Sequence, residues 1–198
     1  MSDACPTIAR DGDEVVILDQ TCLPWTERFV RLDTLTDAAV AIRDMQVRGA
    51  PLIGATAAFG LALALKAEAS DAALAHADAV LRATRPTAVN LHWALDRMQD
   101  ALAPLPALER PAAAWAAAEA IRASDAAANA AIGEHGKAIL EALAAAKGRP
   151  LQLMTHCNAG WLATCGHGTA LAPIYAAHAA GIPLHVYVSE TRPRNQGL

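Results

Sequence analysis

The sequence predicts an α/β fold, helical over most of its length and closing on a strand–helix–strand unit. Three observations carry this. Helical periodicity, rich in alanine, dominates residues 36–147. Gly148-Arg149-Pro150 then ends that stretch sharply. Beyond it, two short apolar runs at 151–155 and 184–188 flank one helix, and that spacing implies a parallel sheet. At about 150 residues per domain, 198 residues make one domain, or one and part of another. The 54% hydrophobic content supports a sizeable core, and an aromatic content of only 4% favours closely packed helices over a β-sandwich.

Residues 15–18 read as a strand, bounded by Asp11-Gly12-Asp13 and Asp19-Gln20-Thr21, and 29–32 pairs with it as a hairpin. Thr36 is the expected N-cap of a first helix carrying Ala39, Val40, Ile42 and Met45 on one face, halted before Arg48-Gly49-Ala50-Pro51. A second helix covers 51–69, with proline tolerated in its first turn, and a third covers 71–84 until Arg85-Pro86. A fourth, 87–103, is expected to bury Val89, Trp93 and Met98. The alanine-rich stretch 107–147 reads as two helices breaking near Gly133 or Ser124. A strand at 151–155, a glycine-rich turn at 158–168, a helix at 169–180 ended by Gly181 and a strand at 184–188 complete the chain.

A formal net charge of −4 argues against nucleic acid as a partner, because such affinity rests on neutralising phosphates. Residues 1–14 are polar and acidic, unlike a secretory leader. The uncharged stretch 49–65 is short of the ~20 residues of a membrane span and holds Pro51, Gly54 and Gly60, so it reads as a buried helix. Cys5, Cys22, Cys157 and Cys165 form no CxxC pair. The expectation is a soluble cytoplasmic protein with free thiols and no membrane partner.

In open α/β sheets, ligands gather at the carboxyl ends of strands. Here those ends carry Thr155-His156-Cys157-Asn158-Ala159-Gly160 and Ser189-Glu190-Thr191-Arg192-Pro193-Arg194-Asn195-Gln196-Gly197. Gly166-His167-Gly168 lacks the third glycine of a dinucleotide fingerprint, Leu171 standing in its place, and no P-loop lysine follows. His156, Cys157, Cys165 and His167 match no common zinc spacing. Cys157 reads either as a structural thiol or as a reactive one on a glycine-rich turn. His76, His92 and His178 fall in helical stretches and read as surface or core residues. Arg48 and Arg85 each close a helix, where an arginine complements the dipole, but their planar forks also suit phosphate. With Arg192, Arg194 and Gln196 they are candidates for a basic pocket.

Four blocks occur in order. They are Leu18-Asp19-Gln20-Thr21 with Val47-Arg48-Gly49-Ala50-Pro51-Leu52-Ile53-Gly54, then Arg85-Pro86-Thr87-Ala88-Val89-Asn90-Leu91. Thr155-His156-Cys157-Asn158-Ala159-Gly160 through Gly166-His167-Gly168-Thr169-Ala170-Leu171 is the third, and Glu190-Thr191-Arg192-Pro193 with Gln196-Gly197 the last. From about Leu18 onward the chain resembles the aldose–ketose isomerase family of methylthioribose-1-phosphate isomerase. The resemblance implies conversion of 5-methylthioribose 1-phosphate to 5-methylthioribulose 1-phosphate in methionine salvage, without metal or organic cofactor. It implies a cytoplasmic homodimer acting on a small phosphorylated sugar. It also implies a helical domain over 1–125, joined to a Rossmann-like catalytic domain that starts at 126 and is incomplete at 198. Carried over by motif, the active-site cysteine falls on Cys157, and substrate contacts fall on Arg48, Gly49, Ala50, Arg85 and Gln196. The family's catalytic aspartate and an asparagine–lysine pair follow the Gln-Gly motif, so they are expected past Leu198, and the chain by itself is expected to be nearly inactive. Ribose-1,5-bisphosphate isomerases and regulatory subunits of the guanine-nucleotide-exchanging initiation factor belong to the same superfamily. The wording of residues 155–164 favours the methylthioribose enzyme, and Cys157 speaks against a purely regulatory role.

Overall fold

The computed structural model describes residues 6–190. Cys5, Arg192, Arg194 and Gln196 lie outside the described residues. The chain opens on three antiparallel strands, β1 (Ile8–Asp11), β2 (Glu14–Leu18) and β3 (Phe29–Leu32), in that spatial order. Ile8 pairs with Ile17 and Val15 with Leu32, and these four side chains all enter the core. The expected hairpin is therefore β2–β3, and it gains β1 at its edge. β1 has no readable pattern, because only Ile8 of its four residues is fully buried.

Helix α1 (Leu35–Arg43) begins two residues earlier than expected. Its N-cap is Thr34, not Thr36. The Thr34 hydroxyl accepts from the Asp37 N–H at 3.2 Å, and the Asp37 carboxylate accepts from the Thr34 N–H at 3.0 Å. Such a reciprocal box needs an acceptor three residues on, which Thr34 has in Asp37 and Thr36 lacks, with Ala39 there. Helix α2 (Ala50–Ala67) is the uncharged stretch of the sequence, long and apolar enough to cross a membrane by composition. In the fold 72% of it lies buried, packed against the surrounding helices.

Helix α3 (Asp71–Thr84) has its expected bounds, and the Ser70 hydroxyl accepts from the Ala73 N–H at 3.1 Å as its cap. Helix α4 (Val89–Leu102) corrects the expected buried face. Val89 is 77% and Trp93 46% exposed, whereas Leu91, Ala94, Leu95, Met98 and Leu102 are buried. That seam follows the 3.6-residue period more fully than 89, 93 and 98 do, and it carries three leucines. Trp93 instead lies beneath the Arg97 guanidinium.

The 107–147 stretch is one helix, α5 (Arg110–Lys147), not two. Neither Ser124 nor Gly133 breaks it, because alanine sustains the helix on both sides. A Cβ at Gly133 would lie 3.2 Å from the Ala172 carbonyl oxygen, and one at Gly136 would lie 2.4 Å from Pro173 Cγ. These glycines admit a neighbouring helix. The early part of α5 buries Ala114, Trp115, Ala118 and Ile121 against the helical core, and Leu140 near its far end joins a second, smaller core.

That neighbour is α6 (Ala172–Ala179), the crossover between β4 (Leu151–Thr155) and β5 (Leu184–Val188). The two strands pair in parallel with Leu151 opposite Leu184, as the sequence predicts. Residues 169–171, expected in the helix, form the turn before it. Leu151, with Leu153 and Leu184, packs toward Ala177 of α6 and Leu140 of α5. Gln152, Met154, His185 and Tyr187 stand exposed on the opposite face. The architecture is thus α/β, with a small antiparallel sheet, six helices and a parallel strand pair among the described residues.

Candidate functional site

Thr155 ends β4, and the chain turns abruptly at Cys157, whose φ of +66° lies in the left-handed region. A residue with a Cβ holds that conformation at a cost of about 1–3 kcal/mol, and such positions concentrate at functional sites. The thiol is free and exposed, so the reading of Cys157 as a buried structural thiol does not hold. Beside it, His156 Nδ1 and Ser189 Oγ share a hydrogen bond of 2.7 Å, and the Ser189 N–H donates to the Thr155 carbonyl at 3.3 Å. The carboxyl ends of β4 and β5 are therefore tied together next to the thiol.

The loop after Cys157 folds on itself. Gly168, with φ +70°, comes so close to Gly160 that a Cβ on it would fall 2.0 Å from the Gly160 carbonyl carbon. Between them lies one 3-10 turn, Trp161–Ala163. The loop is fastened from three distant places. The Thr7 hydroxyl donates to the Thr164 carbonyl at 2.7 Å, Gln20 Nε2 donates to the Leu162 carbonyl at 2.6 Å, and the Cys165 N–H donates to Asp125 Oδ2 at 2.8 Å. Burial foremost, and Asp125 next, push the Cys165 thiol far above its ordinary pKa, so it stays protonated and inert.

The first turn of α2 meets this loop. Arg48 is only 8% exposed, and Gly49, the N-cap of α2, has φ +94°. A Cβ at Gly49 would lie 2.3 Å from Ala163 Cα, so the two backbones touch. The amino end of α2 presents the positive end of a helix dipole and unpaired N–H groups. Arg85, half-buried, closes α3, and its carbonyl accepts from the Ala88 N–H at 3.0 Å. Beyond the turn that follows, the start of α4 reaches α2 at Gly54, where a Cβ would lie 2.8 Å from the Asn90 carbonyl oxygen. Arg48, Gly49 and Ala50 are thus brought against the loop that begins at Cys157. The first turn of α4, entered through the Arg85-Pro86 turn, comes to α2 at Gly54, about one helical turn further along.

Three residues with structural tasks here escaped the sequence reading: Thr7, Gln20 and Asp125. Gln20 sits in a recognisable block, but no spacing rule links it to a carbonyl 142 residues away. Its neighbour Asp19 is fully buried. Burial by itself raises the Asp19 pKa, yet hydrogen bonds from the Thr21 hydroxyl, Arg28 and the Thr21 N–H outweigh it and hold the carboxyl below its ordinary value.

Residues 46–198 match the family model described as Initiation factor 2 subunit family. A protein from Dechloromonas aromatica named methylthioribose-1-phosphate isomerase is 63% identical over 188 residues, 95% of this chain and 52% of its own length. One of the same name from Paramagnetospirillum magneticum is 63% identical over 190 residues, 96% of this chain and 52% of its own. The chain spans about half the length of the curated relatives it matches. The crystal structure of 5-methylthioribose 1-phosphate isomerase from Pyrococcus horikoshii OT3 superposes with a TM-score of 0.87 at 33% identity, covering 98% of this chain and 55% of that one. The translation initiation factor eIF-2B subunit delta from A. fulgidus gives 0.84 at 32%, covering 98% and 57%. The resemblance read from the four blocks thus has its counterpart in relatives that carry the isomerase name. On the match over residues 46–198, this chain belongs to the initiation factor 2 subunit family.

Proposed function

We propose that the protein is a methylthioribose-1-phosphate isomerase, converting 5-methylthioribose 1-phosphate to 5-methylthioribulose 1-phosphate. The observation that carries this reading is the meeting of two segments distant in sequence. Cys157, in a left-handed turn at the end of β4, leads into a loop whose backbone touches Gly49 at the amino end of α2. An aldose–ketose isomerisation opens the sugar ring, takes a proton from one carbon and delivers one to its neighbour, so it needs positioned acid/base groups and an anchor for the phosphate. Arg48 and Arg85, with Gln196 from the last block, are the anchor in this reading. Gly49 and Ala50 offer the backbone and dipole at the start of α2. Cys157 moves protons or steadies the transition state.

The second acid/base group in this reading is an aspartate that the family pattern puts after the Gln-Gly motif, and the chain spans about half the length of the relatives that carry the isomerase name. In the same reading β4, α6 and β5 are the first unit of a Rossmann-like domain starting near residue 126, after a helical domain over 1–125. The protein works in the cytoplasm as a homodimer without metal or organic cofactor.

The test uses full-length protein. Cys157→Ala should lower kcat by on the order of 10³-fold or more while binding of the sugar phosphate, followed by calorimetry, stays near wild type. Wild-type turnover by that variant would remove Cys157 from the mechanism. A second reading, a binding protein without turnover, draws on the 0.84 superposition with the eIF-2B subunit. Absence of turnover by the wild type, together with binding to an initiation-factor subunit, would favour it.

A further inference from the structure

Gln20 lies between the two segments that the proposed site needs together. It follows β2 and is 2% exposed. Its backbone N–H donates to the Gln46 carbonyl at 2.9 Å, two residues before Arg48. Its side-chain Nε2 donates to the Leu162 carbonyl at 2.6 Å, inside the 3-10 turn of the loop that begins at Cys157. One residue therefore holds the Arg48 segment through its main chain and the Cys157 loop through its side chain. The next loop residue, Ala163, rests on Gly49 without room for a Cβ, so a shift of the turn toward α2 is blocked and a shift away is restrained by the Gln20 amide. The buried Gln20 Oε1 has no hydrogen-bond partner among the described residues. An unpaired buried acceptor is destabilising, a cost that a leucine or methionine at that position would not incur. What the amide supplies in return is the single directed bond to Leu162. Thr7, also buried, adds a second tie two residues along the same loop through its hydroxyl and the Thr164 carbonyl.

We infer that Gln20, seconded by Thr7, is a positioning residue that fixes the Cys157 loop in register with the Arg48-Gly49-Ala50 turn. Its kinetic consequences rest on the isomerase reading; its geometric consequence, the exposure and orientation of the Cys157 thiol, does not.

The experiment compares wild type, Gln20→Met, Gln20→Glu and Thr7→Val in full-length protein. It measures kcat and KM for 5-methylthioribose 1-phosphate, the rate of Cys157 alkylation by iodoacetamide read from peptide masses, and Tm. Methionine keeps the bulk without the donor, and glutamate turns an acceptor toward the Leu162 carbonyl. For Gln20→Met the expected result is a fall in kcat of on the order of 10²-fold with KM held within about 3-fold, because an ångström of misplacement acts on the chemical step more than on binding. Gln20→Glu should fall further and Thr7→Val less, each with a changed Cys157 alkylation rate. A lowered Tm with kcat and alkylation unchanged would make Gln20 a packing residue and overturn the inference. If wild-type protein shows no isomerisation, the functional reading fails, and the alkylation rates still decide whether the clamp exists. If Gln20→Met does not fold, Thr7→Val decides on the same readouts.

Discussion

Replacing Gly49 by alanine places a methyl group where the structure has the backbone of the Cys157 loop. The added Cβ would stand 2.3 Å from Ala163 Cα, 2.4 Å from its carbonyl oxygen and 2.5 Å from its Cβ. Ordinary carbon contacts lie near ~3.5–4.0 Å, so the loop must retreat by about 1 Å or α2 must unwind at its first turn. Overpacking of this kind costs about 1–3 kcal/mol, and holding a residue with a side chain at φ +94° costs about 1–3 kcal/mol more. The sum, about 2–6 kcal/mol, lowers Tm by about 4–24 °C for a chain of this size. Gly12→Ala is the matched control. Its φ is +64° with nothing within 4 Å of the added Cβ, so it bears only the conformational cost, about 1–2 kcal/mol. Thermal unfolding of both variants by circular dichroism, with isomerase turnover of the same two substitutions measured in full-length protein, separates the two effects. If Gly49→Ala unfolds no earlier than Gly12→Ala and keeps wild-type turnover, α2 and the loop do not meet as described.

Three more outcomes follow from particular contacts. The folded pKa of Asp19 lies below its ordinary 3.8, so its stabilisation is present above that pH and lost as pH falls through the folded value. Asp19→Asn should cost about 1–3 kcal/mol at pH 7 and flatten the acid limb of a stability–pH curve measured by urea unfolding; an unchanged limb would contradict the Thr21 and Arg28 bonds. Gly136→Ala gains about 0.5–1 kcal/mol of helix preference, but its Cβ would lie 2.4 Å from the rigid Pro173 ring, a clash of about 1–3 kcal/mol, so Tm should fall, and a rise would refute the close approach of α5 and α6. Iodoacetamide should label Cys157 in native protein and leave Cys165 untouched until urea unfolds it, since burial keeps the Cys165 thiol protonated.

Helix α3 and strands β4 and β5 are legible to the residue because each is bracketed by its own punctuation. Ser70 caps α3 and Arg85-Pro86 stops it; Pro150 precedes β4, and Gly181 with Pro183 precedes β5. Legibility fails where tertiary contact decides. Gly133 looks like a breaker in isolation, yet it is where the Ala172 backbone approaches α5. Val89 and Trp93 look like core residues by type, yet α4 turns its leucine seam inward. In the site, Cys157 and the Arg48-Gly49-Ala50 segment stand out as motifs, whereas their convergence does not. It depends on bonds between residues 142 and 157 positions apart, and no local pattern encodes such a pairing.

The alanine-rich stretch that looks like low complexity has a consequence for the site. Were α5 two helices with a break near Ser124, the β4–α6–β5 unit would hang on a hinge and its loop would drift relative to α2. As one helix of 38 residues, about 57 Å long, α5 buries Trp115 and Ile121 in the core around α2 and also receives α6 near its far end. Asp125, one residue past the expected break, accepts the Cys165 N–H, so the continuous part of the helix fastens the loop directly. The three ties on the loop come from Thr7 ahead of β1, Gln20 after β2 and Asp125 in α5, none of which belongs to the β4–α6–β5 unit itself. The position of the Cys157 loop is therefore set from outside that unit, by a rigid helix and two buried side chains. Substitutions that leave every candidate substrate contact in place can still displace the thiol.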